Sequence, residues 1–441
     1  MKKYKGYIIP PAVRDFFAGR IWDVARVPDG IAAHDIAQLI RYKHVAMQPA
    51  ITDKCERCGI TELIHYSLTY CRHCLTMGRI TSNTTLMTWQ SHAPRFTRFS
   101  YNASKLSEAQ QRVSTALIAS VRERRNHLVD AVCGAGKTEM LFGAIAYALK
   151  RRLRVCVATP RADVVRELAP RLKAVFPQTT AHVLYGGAPK EAGCPQLVIA
   201  TTHQLYHFYQ AFDVMIVDEA DAFPYTYDQA LQRAVYKAKK PDAPIIFVTA
   251  TPSKQILAQA KKEQWGHSSV WRRYHGFDLP VPRYAPLFHY HKTLRKKLPP
   301  KLARWTTERL AANQPFLIFF ATKKLMAQAL PYFKQLHPTI ESVHAEDEHR
   351  AEKVQRLRDE ACVGLLTTTI LERGVTIKNV QVAVVGAEAA IFEASALIQI
   401  SGRVGRNANF ASGDVVFFHH GITAAMDEAK RTIRKQNEVS V

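Results

Sequence analysis

Unbroken apolar runs of four or five residues, rather than alternating ones, mark the middle and the end of the chain. Val155-Cys156-Val157-Ala158, Leu197-Val198-Ile199-Ala200, Val214-Met215-Ile216-Val217 and Ile245-Ile246-Phe247-Val248 are examples, with helical patterns between them. Such runs predict strands buried on both faces of a parallel sheet, and hence an α/β unit from about residue 104 to 274. Residues 275–301, rich in Pro, His and Lys, read as a linker. Alternation resumes with Phe316-Leu317-Ile318-Phe319-Phe320, Val363-Gly364-Leu365-Leu366, Val380-Gln381-Val382-Ala383-Val384-Val385 and Val415-Val416-Phe417-Phe418, which predict a second unit of similar size. Residues before about 95 carry no sustained alternation. The expected domains are therefore 1–95, 96–280 and 281–441, and the absence of a short-period repeat excludes a solenoid.

The chain has 441 residues, 47% of them hydrophobic, enough for two or three domains with cores of their own. Lys and Arg number 61 against 37 Asp and Glu, a formal net charge of +24. That excess attracts polyanions, so nucleic acid is the expected partner and an anionic membrane surface the alternative. No stretch approaches the roughly 18 apolar residues needed to span a bilayer. Gly6 to Pro11 is too short for a signal-peptide core. A cytoplasmic location with reduced thiols is expected.

Ala131-Val132-Cys133-Gly134-Ala135-Gly136-Lys137-Thr138 follows a strand-like run and opens a helical pattern. Glycines there turn backbone N–H groups inward, and the helix N-terminus adds its dipole, so the segment suits a phosphate cradle. Lys137 is placed to reach the β- and γ-phosphates of ATP, and the Thr138 hydroxyl to bind Mg²⁺. The run Val214–Val217 ends in Asp218-Glu219-Ala220-Asp221. Acids at the carboxyl end of a parallel strand sit where such sheets bind ligands. Asp218 is expected to hold Mg²⁺ through water, and Glu219 to orient and deprotonate the attacking water. Upstream, the Gln110 amide offers a donor and an acceptor suited to the adenine edge.

Cys55-x₂-Cys58 and Cys71-x₂-Cys74 stand twelve residues apart, and the other four of the eight cysteines are scattered. Two paired-thiolate knuckles supply the corners of a tetrahedron, and soft sulfur selects Zn²⁺ in a structural role. An iron–sulfur cluster or a redox pair is the alternative. His65 and His73 are read as surface residues. Lys54, Arg57, Tyr66, Tyr70, Arg72 and Arg79 surround the site, and two readings stay open: stacking on single-stranded bases, or packing of the small module's own core.

In the last quarter lies Gln399-Ile400-Ser401-Gly402-Arg403-Val404-Gly405-Arg406. Arginines three apart on a helical turn share a face and suit a γ-phosphate clamp. With these residues in place, residues 104–410 resemble helicase superfamily two, motif by motif and in order. Gln110 matches the adenine motif, Lys137 and Thr138 motif I, Asp218–Asp221 motif II, and Thr249-Ala250-Thr251 motif III. Thr367-Thr368-Thr369-Ile370-Leu371-Glu372-Arg373-Gly374 matches motif V, with Gly374 on the nucleotide side, and Gln399 to Arg406 matches motif VI. The strand-binding positions carry over to Thr159-Pro160-Arg161 (motif Ia), Thr201-Thr202 (Ib), Thr322-Lys323 (IV) and Thr368 (V). Motif VI begins with Gln399 rather than the His-Arg usual in RNA helicases that carry Asp-Glu-Ala-Asp, so RNA unwinding is not inferred.

The resemblance implies two RecA-like parallel-sheet lobes preceded by a small four-cysteine zinc module, with ATP bridging the lobes and Gln399, Arg403 and Arg406 serving catalysis. The cysteine module ahead of the phosphate loop, together with the run 367–376, is similar to the ComFA family of late-competence ATPases. That similarity implies a motor on single-stranded DNA acting in transformation, a ComFC-like partner, and action at the inner face of the membrane beside an uptake channel. It leaves the oligomeric state open. A replication-restart helicase of the PriA kind, an RNA helicase and a non-catalytic DNA-binding scaffold are the rival readings.

Overall fold

The computed structural model describes residues 8–89, 98–103, 105–189, 191 and 193–438. The chain divides into two compact units, one of residues 1–130 and 137–269, the other of 131–136 and 270–441. The expected boundary at 95–96 lies outside the described residues.

The first unit opens with a small antiparallel sheet: β1 (Ile21–Asp23), β2 (Ala46–Pro49) and β3 (Thr85–Thr88), with β3 central. The larger sheet holds β4 (His127–Ala131), β5 (Val155–Thr159), β6 (Ala181–Leu184), β7 (Leu197–Thr201), β8 (Val214–Asp218), β9 (Ile245–Thr249) and β10 (Gly266–Val270), in the order β10-β4-β9-β8-β5-β7-β6. Strands β5, β7, β8 and β9 are buried throughout, which is why their sequences run apolar without alternation. Parallel pairing aligns Thr159 with Thr201, and Asp218 with Val248. Motifs Ia, Ib, II and III therefore share one edge of the sheet.

The residues before the sheet have a core of their own around Val13, Phe17, Ile36 and Leu39, but the cysteine site does not stand apart from the lobe. All four clustered cysteines belong to one apolar core with Leu205, Tyr206, Phe208, Phe212 and Leu231 of the lobe. The sequence had set them in a separate region because apolar periodicity says nothing about which elements share a core.

The second unit carries β11 (Arg283–Pro286), β12 (Phe316–Phe320), β13 (Glu341–Val343), β14 (Gly364–Thr367), β15 (Gln381–Val385) and β16 (Val415–His419), in the order β11-β16-β15-β12-β14-β13. Its core gathers Phe316, Ile318, Phe320, Phe333, Ala383 and Val385. The stretch expected to be a linker instead supplies β11, parallel to β16. At a sheet edge Pro286 forfeits no ladder bond, so a strand hides in a proline-rich sequence. The second unit likewise begins earlier than 281, at residue 270.

Candidate active site

In the phosphate loop Gly134 and Gly136 take φ of +85° and +73°, a region that side-chain-bearing residues rarely adopt. The helix Lys137–Lys150 follows at once. Glu139, in its first turn, pairs with Arg171, whose Nη1 also lies 3.4 Å from the Thr138 hydroxyl. Arg171 had no sequence signal; only the packing of its helix brings it there.

Asp218 ends β8 with 7% of its surface exposed, and its Oδ1 accepts the Glu219 N–H at 3.0 Å. Burial first, then the Glu219 charge, raise its pKa to about 6, against the pull of the Lys137 ammonium. A carboxylate so destabilised gains most from a cation, and Thr138 and Asp218 fit Mg²⁺ on that ground. Glu219 takes φ +55°, an unfavourable value of the kind that gathers at functional sites. Asp221 accepts the Thr251 hydroxyl at 2.5 Å, joining motif II to motif III.

Other expected residues are occupied differently. Gln110 closes a capping box: its Oε1 accepts the Ser107 N–H at 2.9 Å, and Ser107 Oγ accepts the Gln110 N–H at 3.3 Å. Arg161 donates twice to Asp163, at 3.2 and 2.9 Å. Thr322 caps the helix Lys323–Leu336, and Lys323 pairs with Glu346. By contrast, the hydroxyls of Thr159 and Thr202 are buried without a hydrogen-bond partner among the described residues. A buried hydroxyl left unpaired costs about 1–3 kcal/mol, and both residues are fully buried, so neither hydroxyl is open to a ligand in this conformation.

Within the second unit, the motif VI arginines differ sharply. Arg403, 3% exposed, donates to the Glu372 carbonyl at 2.9 and 2.6 Å and to the Val375 carbonyl. Among the described residues, Arg406 bonds only within the turn past the helix end, to the Gly402 carbonyl at 3.0 Å. The Cys133 thiol donates to Gln399 Oε1 at 2.9 Å. Arg273, unsuspected from sequence, is buried and donates to the carbonyls of Gly405 at 2.5 Å and Val404 at 2.7 Å. It holds the turn that carries Arg406.

The sulfurs of Cys55, Cys58, Cys71 and Cys74 lie within 4.8 Å of one another, with Cys58 to Cys71 at 3.5 Å and Cys55 to Cys74 at 3.8 Å. Tetrahedral Zn–S bonds of about 2.3 Å imply S···S distances of about 3.8 Å, so the cage fits one zinc ion. Arg57 Nε donates to Cys74 Sγ at 3.3 Å, a bond that stabilises a thiolate ligand. Arg57 therefore neither faces bases nor fills an apolar core. His65 and His73 are exposed, as expected.

Comparison with known proteins bears on the whole chain. Residues 8–88 match the competence protein ComFA N-terminal domain, 107–259 the DEAD/DEAH box helicase and 300–408 the helicase conserved C-terminal domain. Competence protein ComFA of Bacillus subtilis is 43% identical over 399 residues, covering 88% of this chain and 86% of that one. The chain belongs to the ComFA family. The Streptococcus pneumoniae ComFA is 38% identical over 392 residues, covering 87% of this chain and 90% of its own. In fold, the chain is similar to Saccharomyces cerevisiae Dbp5 bound to RNA and ADP BeF3, with a TM-score of 0.58, 18% identity, and coverage of 76% of this chain and 88% of that one. This ComFA-family chain is thus an ATP-hydrolysing, superfamily-two helicase-type enzyme of competence, built to bind nucleic acid. Among the described residues, no helix is long and apolar enough to cross a membrane.

Proposed function

We propose that the protein is a translocase on single-stranded DNA that helps draw an incoming strand into the cell during transformation. The observation that carries this reading is the shared edge of the first sheet. There Asp218 of β8 stands beside the strand ends that carry Thr159 on β5 and Thr201, followed by Thr202, on β7. Hydroxyls and backbone N–H groups at strand ends hold phosphates without reading bases, which suits a motor that must pass any sequence. The basic surplus of the chain strengthens that grip.

Lys137 and Thr138 would hold the nucleotide phosphates, and Thr138 and Asp218 would hold Mg²⁺. Mg²⁺ supplies neutralising charge to the phosphates. Glu219 takes the proton of the attacking water. Arg406 answers the γ-phosphate, while Gln110 meets adenine with the donor face of its amide. The Asp221–Thr251 bond passes the state of the acids to motif III. Docking to a ComFC-like protein and to the inner mouth of a membrane channel would place this activity in uptake.

Glu219→Gln tests the reading in competent cells. Labelled DNA should still bind the cell surface while internalised label falls by about 10³-fold, the scale of losing a group that acts in the transition state. Unchanged uptake would refute the role.

A further inference from the structure

We propose that the cysteine site is a strut for the turn after β7, and that Lys237 and Arg57 are the positioning residues that transmit it. The proposal rests on the reading that Thr201 and Thr202 grip the strand. It concerns how that grip is kept in shape.

Arg57 stands between Cys55 and Cys58 with 4% of its surface exposed. Besides Cys74 Sγ, its guanidinium donates to the carbonyls of Cys74 and Met77, each at 3.1 Å, and of Gly78. One residue thus ties the first knuckle to the whole 3₁₀ turn Arg72–Met77 of the second. The Arg57 carbonyl in turn accepts from Lys237 Nζ, on the helix Gln229–Ala238. The same ammonium donates to the Tyr206 carbonyl at 3.0 Å. Tyr206 lies in the 3₁₀ turn Thr202–His207, which begins with the motif Ib threonine itself. A single side chain therefore links the cysteine knuckle to the strand-gripping turn. One helical turn earlier, Arg233 donates to the Gly59 carbonyl and makes a second tie from the same face.

The turn needs outside support. A 3₁₀ turn has poor internal hydrogen-bond geometry, and the Thr202 hydroxyl has no partner among the described residues to pin it. Leu205 and Tyr206 pack in one core with the four cysteines, so the metal-held knuckle forms part of the turn's floor. Arg57, between the two cysteines of the first knuckle, faces the metal cage and not solvent. The module thus serves the strand by holding the turn.

The test uses the full chain as Lys237→Met and Arg233→Ala. It measures zinc content, thermal unfolding, anisotropy of a labelled single-stranded oligonucleotide, and ATPase rate against DNA concentration. Lys237→Met should keep one zinc per chain. Its DNA dissociation constant should rise about tenfold, the weight of a charge-assisted hydrogen bond. Half-saturating DNA should rise in parallel, and the rate at saturating DNA should change by less than about twofold, because the chemistry is untouched. Arg233→Ala, with a solvent-exposed donor, should give a smaller rise of about threefold. If both variants hold zinc, unfold like the parent and bind DNA like it, the strut is refuted; should Lys237→Met fail to fold, Arg233→Ala decides alone. Thr202→Val separates the two claims: weakened binding there with unaffected strut variants sinks only the strut, and unaffected binding there sinks the grip reading beneath it.

Discussion

The two parallel sheets do similar architectural work with opposite chemistry and unequal independence. The first presents acids, a buried Asp218 and a half-buried Glu219, and takes the cysteine site into its own core. The second presents arginines just past the end of the helix Ala394–Ser401, and its core cluster around Phe316 and Phe333 is made of that unit's residues. Chemistry and stability are therefore coupled differently in each. In the first unit, the core beneath the turn after β7 includes the four-cysteine cage, which fits a metal ion. In the second, the two arginines differ in their contacts: Arg403 is held by the carbonyls of Glu372 and Val375, while Arg406 bonds the Gly402 carbonyl of its own turn.

Metal removal should expose this contrast most. A structural zinc site in a small module contributes binding free energy of about 10 kcal/mol or more directly to folding. A strong chelator should therefore unfold the cysteine module and lower the melting of the first unit, as followed by differential scanning calorimetry. The second unit's transition should stay in place. A common shift of both would break the comparison.

The arginines come next. Arg406→Ala should cut the ATPase rate by about 10³-fold with little change in melting, as expected for charge that acts in the transition state. Arg403→Ala should instead lower the melting of the second unit, because the carbonyls of Glu372 and Val375 lose their donor. Equal rate losses with equal stability in both variants would show that the locked arginine also works on phosphate.

A smaller effect lies in the first unit's response to acid. His127 is buried between the hydroxyls of Ser120 and Ser268, at 2.8 and 2.9 Å, and burial holds its pKa down at about 4. An unfolded histidine titrates near 6.5, so the fold favours the neutral ring. That contribution is fully present above pH 6.5 and is lost as pH falls toward 4, by at most about 3 kcal/mol. His127→Gln should be less stable at pH 7 and flatter between pH 7 and 4.5 in denaturant unfolding. Parallel curves would exclude the histidine.

How much of this the sequence disclosed depended on distance along the chain. Strands β5, β7, β8 and β9 were legible because burial on both faces leaves an unbroken apolar run. The phosphate loop, Asp218, Glu219 and the four cysteines were legible because their chemistry fixes short spacings. Strand β11 was not, since Arg283-Tyr284-Ala285-Pro286 has no apolar run and an edge position tolerates its proline. Arg171, Lys237 and Arg273 were equally silent, and Arg57, though named beside the cysteines, gave no hint of the carbonyls it ties. Each acts on backbone or side chains far away in sequence, and nothing local distinguishes such a residue from a solvated one. Gln110 shows the reverse case: a motif position whose carbonyl oxygen also closes a helix cap.

The central claim is that ATP hydrolysis is driven by a gripped single strand. The most direct test is the ATPase rate of the full chain with Mg²⁺ and saturating single-stranded DNA, duplex DNA or RNA, each over a range of salt. Single-stranded DNA should stimulate most, and its apparent affinity should fall with salt at a log–log slope of about −0.7 per phosphate neutralised. A rate indifferent to all three, or one raised by RNA alone, would contradict it.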